Sequence, residues 1–130
     1  MKRNMLKTLL FASLGIIMVI AFTSAKESVS PPGAPGKPLV IKMHKDNCTI
    51  KYKAPSDDGG ARIIGYYVEK RDVSDGKWIL LNKDDPETGL EYTANNLIEG
   101  SQIQFRVYAV NAGGRGPASL PCDLITVTEQ

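Results

Sequence analysis

The chain has 130 residues, 42% of them hydrophobic and 23% charged, and a formal net charge of +2. Lys2, Arg3 and Lys7 hold three of the 16 basic groups and all 14 acids follow residue 25, so residues 26–130 carry 13 basic against 14 acidic side chains, net −1. That balance excludes electrostatic capture by nucleic acid or an anionic membrane, and no acidic run is long enough to act as a polyanion.

The basic start leads into residues 8–22, apolar apart from Thr8 and Ser13, and then into the small residues Thr23, Ser24 and Ala25. This order predicts a secretory signal over 1–25, removed after Ala25. Its apolar run of about 15 residues falls short of the roughly 20 that span a bilayer, so no stable membrane insertion is expected after cleavage. Residues 26–30 are polar and expected to be loose. Residues 31–38 hold four prolines and two glycines; the prolines cannot donate along a ladder, so 26–37 reads as an extended lead-in to a domain over 38–128.

No long helical period follows. Short apolar runs alternate with turn signals, the pattern of an all-β sandwich of seven strands. The first strand is expected over 39–44 and the second over 48–53, where Cys48, Ile50 and Tyr52 share one face. A loop over 55–61 contains Asp57, Asp58, Gly59 and Gly60. The third strand covers 63–70, with Ile64, Tyr66 and Val68 facing one way. Asp75-Gly76 is a hairpin signal, with a return over 77–81. A short strand at 88–90 leads to 92–95. The clearest is 102–110, with Ile103, Phe105, Val107 and Ala109 inward against Gln104, Arg106 and Tyr108. A loop over 111–116 precedes a last strand at 124–128.

The ordered residues Pro31-Pro32-Gly33, Cys48 through Pro55, Asp57-Asp58-Gly59-Gly60 and Ile64 through Arg71 form the first half of a signature. Trp78, Leu97, Gly100, Phe105-Arg106-Val107, Ala109 through Gly113 and Gly116 through Ser119 complete it. Together they resemble the fibronectin type III family, most of all the modules of titin and twitchin, over about 31–128. The resemblance implies an immunoglobulin-like, seven-stranded β-sandwich. Two positions depart from the pattern: Tyr52 stands where the family carries tryptophan, and Ile103 replaces a tyrosine whose hydroxyl would tie a corner, a loss of about 1 kcal/mol. The muscle modules imply a cytosolic assembly role. The leader implies export, and it takes precedence for location.

Cys48 and Cys122 would reach an oxidising compartment, where a bridge between them closes 74 residues and stabilises by about 4 kcal/mol in the chain-entropy picture. Pairing between chains competes with pairing within one. Asn47-Cys48-Thr49 is a candidate N-glycosylation sequon at Asn47. His44 is the one histidine and is expected at the surface. Neither a triad nor a metal site assembles from it, so no enzyme activity, metal or cofactor is expected. Asp57-Asp58 reads as turn chemistry and not as a calcium pair. The loop containing Arg115 has arginine but no aspartate in the adhesive Arg-Gly-Asp order, which leaves Arg115 as a candidate polar contact. Trp78 and Tyr67 are expected on the outer face of one sheet, as interface anchors or as ordinary cross-strand packing.

The expected function is therefore a secreted, non-enzymatic matrix or interaction module, whose partners are other extracellular proteins or matrix polymers. The family resemblance makes an invertebrate shell-type organic matrix one setting. A soluble ligand or decoy for a cell-surface receptor is the alternative.

Overall fold

The computed structural model describes residues 28–130, so the expected leader at 1–25 and residues 26–27 lie outside the described residues. Eight strands follow in order: β1 Leu39–Met43, β2 Cys48–Lys51, β3 Gly65–Asp72, β4 Trp78–Leu80, β5 Glu91–Ala94, β6 Gln102–Asn111, β7 Gly114–Ala118 and β8 Ile125–Thr126. They make two antiparallel sheets, one ordered β1-β2-β5 and the other β4-β3-β6-β7, with β8 also pairing β6.

Alternation in β2, β3 and β6 decides what lies between the layers. Cys48 and Ile50 from one sheet, with Val68, Ile103, Phe105, Val107 and Ala109 from the other, are each 1% exposed or less. Tyr52, in place of the family tryptophan, packs its ring 5.0 Å from that of Tyr66. Its hydroxyl donates to the Gly89 carbonyl at 3.0 Å, which satisfies the one polar atom that tryptophan would have placed elsewhere. Burial raises the Tyr52 pKa and so keeps the phenol protonated.

The structure differs from the sequence expectation at four places. Residues 111–116 are not one loop: β6 continues to Asn111, and β7 pairs back onto it through Asn111↔Gly114, Val110↔Arg115 and Tyr108↔Ala118. With 88–90 and 92–95 counted as one expected strand, the added β7 gives eight in place of seven. Ile64 is exposed and does not share the buried face of Tyr66 and Val68, because β3 begins at Gly65, two residues later than expected, and Ile63 supplies the packing. No strand forms at 88–90, where the Gly89 N–H turns back to the Glu87 carboxylate; Glu87 just before it makes a single bridge with Tyr66. The last strand is only Ile125–Thr126.

Where β4 ends, a side chain takes over its role. Asn82 accepts from the Val68 N–H at 2.9 Å and donates to the Tyr66 carbonyl at 3.0 Å. This continues the edge bonding of β3 without a strand and leaves neither buried group unpaired.

Residues 28–38 are extended and lie against the domain. Pro32, Pro35 and Pro38 are buried while the residues between them are less so, the three-residue period of a polyproline II segment. Its free donors are used: Ser30 N–H reaches Gly59 O, Gly33 N–H reaches Asp57 O and Gly36 N–H reaches Lys53 O, each at 2.9 Å. Asn111 locks the arrangement, its amide donating to both Ser30 O and Asp58 O.

Candidate docking face

On β3, β4, β6 and β7 the residues that point away from the core meet in one row. The pairings Arg71↔Trp78 and Glu69↔Arg106 set neighbouring side chains against each other. The Arg71 guanidinium carbon lies 4.8 Å from the Trp78 ring centre, and that of Arg106 lies 4.1 Å from it. Arg106 also stands 5.6 Å from Tyr108. Arg115 comes next, 4.4 Å from Tyr108 and 5.8 Å from Tyr67. The resulting order is Arg71, Trp78, Arg106, Tyr108, Arg115, Tyr67. Each cation–ring contact contributes about 0.5–1 kcal/mol at an exposed site, and each fixes the plane of a side chain that would otherwise wander.

Glu69 anchors the middle of the row. One carboxylate oxygen accepts from Arg106 Nε at 2.7 Å and from the Tyr108 hydroxyl at 2.6 Å. Burial, then the bond to Glu69, raises the Tyr108 pKa. Arg106 is thereby neutralised. Arg71 and Arg115 have no carboxylate partner among the described residues.

The candidate residues Trp78, Tyr67 and Arg115 are thus brought together, though Trp78 and Tyr67 meet through arginines and not directly. Arg71, Glu69, Arg106 and Tyr108 were not singled out as site residues in the sequence. Their signal was outward parity on two strands, which becomes a shared surface only once the register is known.

The other candidates lie elsewhere. Asn47 sits in the β1–β2 turn, its amide donating to Asp46, while Thr49 of the same sequon is buried against Thr93 with the hydroxyls 2.8 Å apart. His44 is exposed and its Nδ1 lies 3.0 Å from Glu129. Asp57 and Asp58 accept from the N–H groups of Gly59 and Gly60, so both carboxylates shape the turn.

Cys48 and Cys122 are separate thiols in one core. Burial, with a smaller push from Cys122, moves the Cys48 thiol up to about 11. Burial also raises Cys122, opposed by the Phe105 N–H that points at its sulfur from 3.2 Å. At pH 8 a thiol near 11 is thiolate in roughly one molecule in a thousand, and the thiolate is the nucleophile. Alkylation of the reduced native protein by iodoacetamide is expected to run at least about 100-fold slower than in concentrated guanidinium. Equal rates in both would mean the core is open.

The family model for the fibronectin type III domain matches residues 33–124. The chain belongs to the fibronectin type III family. This fibronectin type III domain is 38% identical over 96 residues to human cardiac-type myosin-binding protein C, covering 72% of the chain and 8% of that protein. It is 39% identical over 88 residues to Drosophila melanogaster titin, across 68% of the chain. The chain therefore corresponds to a small part of these relatives' length. Among solved structures, a titin module from human cardiac muscle matches with a TM-score of 0.69 at 38% identity, covering 76% of this chain and 95% of the module. A crystal structure of titin domains matches at 0.73 and 28% identity, over 78% of this chain and 34% of that one.

Proposed function

We propose that this protein is a secreted, non-enzymatic module of an extracellular matrix, which docks other extracellular proteins or matrix polymers through the outer face of the β4-β3-β6-β7 sheet. A shell-type organic matrix is the setting that the resemblance suggests. The observation that carries the reading is the row of six stacked side chains. Aromatic rings and arginines held in fixed planes are what interface hot spots are made of, because little side-chain freedom is left to lose on binding. Export rests on the leader. It would take both thiols through an oxidising compartment before the core closes, and intact mass with and without reduction reports any bridge within or between chains.

Retention on an insoluble extracellular matrix fraction is the test. The unaltered protein is expected to stay bound through washing, and Arg115→Ala combined with Tyr67→Ala to lower retention at least about tenfold with unchanged circular dichroism. Saturable binding to intact cells, lost in the same variant while matrix retention is absent, would replace this reading with the soluble-ligand one. A protein that is freely soluble in every fraction would end the matrix assignment.

A further inference from the structure

Resting on that docking face, we infer that its occupant is an acidic polypeptide segment whose carboxylates seat on the free edges of Arg71 and Arg115. The row contains three arginines and one glutamate, and that glutamate is already committed to Arg106 and Tyr108. Two positive charges are left over on a chain whose residues 26–130 sum to −1, so the surplus is local to this face.

A guanidinium has five N–H donors. Among the described residues Arg71 donates only to Gln104, and its Nε is enclosed with no acceptor. The Arg115 side chain makes no hydrogen bond among the described residues and is exposed at the β6–β7 hairpin. The Arg71 guanidinium carbon stands 4.8 Å from the Trp78 ring centre and that of Arg115 4.4 Å from Tyr108, and the N–H groups of a guanidinium match a carboxylate bidentately. Along the row the two guanidiniums are separated by Trp78, the Glu69-paired Arg106 and Tyr108. An extended peptide with spaced acidic residues and apolar side chains over the rings fits that arrangement. A heavily sulfated glycan fits it less well: it gains from many cations in a stripe, and here two unpaired ones are separated by aromatic surface.

Trp78 is the only tryptophan, so its emission reports the site directly. Titration of the purified protein at low salt with a twelve-residue polyglutamate peptide is expected to shift that emission saturably. Arg115→Gln should weaken the peptide at least fivefold, and Arg71→Gln with Arg115→Gln at least twentyfold. Arg71→Lys, which keeps the charge and loses the fork, should weaken it about threefold. Arg115 is exposed, so Arg115→Gln leaves folding intact and keeps the test open if Arg71→Gln perturbs the stack. A heparin fragment of equal charge that binds tighter than the peptide and is lost in the same variants overturns the proposal in favour of a glycan. No shift with polyglutamate, or a shift indifferent to both arginines, also overturns it. If matrix retention nevertheless depends on Arg115 and Tyr67, the docking face survives and only its acidic partner is wrong. If retention is indifferent too, the face itself is wrong.

Discussion

Gly116→Ala is expected to destabilise the domain by about 2–4 kcal/mol, and to do so by evicting a segment eighty residues away in sequence. A Cβ at Gly116 would stand 1.9 Å from the Pro32 carbonyl oxygen and 2.9 Å from its carbon. Both are backbone atoms, and neither can rotate aside. Either residues 28–36 leave their seat or β7 peels from β6. The first is the expected outcome: Ser30, Gly33 and Gly36 lose their backbone acceptors, and Pro32 and Pro35 become exposed. The expected signature is a lower melting midpoint together with new protease cleavage before residue 37. A chain shortened to begin at residue 37 separates the two routes. There Gly116→Ala should cost well under 1 kcal/mol, because the carbonyl it strikes is gone; a penalty that persists would place the strain in β7 itself. Gly76 is the control at a turn, with φ +71 and open space around a Cβ. Alanine there should cost only the left-handed backbone term, about 1 kcal/mol.

The same segment shows what the sequence does and does not make legible. In β6 the inward set at 103, 105, 107 and 109 was readable because one face of that strand is wholly buried and the other is not, which writes a period of two into the side chains. β7 wrote no such period. Gly114-Arg115-Gly116-Pro117-Ala118 looks like a loop because its strand character lies in backbone pairing to β6 and in the absence of a side chain at Gly116, where Pro32 passes over it. The proline content alone reads as an extended lead-in, while the spacing at 32, 35 and 38 is what carries the seating of that segment against the domain. For the docking face, Trp78, Tyr67 and Arg115 stood out as residue types. Arg71, Arg106 and Tyr108 looked like the ordinary solvated side of a strand, and what distinguishes them, stacking on a neighbour across the sheet, depends on register that no local pattern encodes.

Phe105→Ala should have the largest effect on stability, about 3–5 kcal/mol, and almost none on affinity. Phe105 is fully buried at the middle of β6, and domains of this size are stable by only about 5–15 kcal/mol. The melting midpoint should therefore fall by on the order of 15 °C or more. Ile98→Ala supplies the contrast. Ile98 is 73% exposed, so its removal should change stability by no more than about 0.5 kcal/mol. Phe105 lies beside Arg106 and Gln104 in sequence but on the opposite face of the strand. Below its lowered midpoint the variant should hold the docking row in place and bind polyglutamate as the unaltered protein does, in proportion to the folded fraction. Arg115→Gln should behave in the opposite way, keeping the midpoint and losing the binding. If Phe105→Ala weakened binding while fully folded, the two faces of β6 would be coupled, and the row would depend on core packing more than on its own stacked contacts.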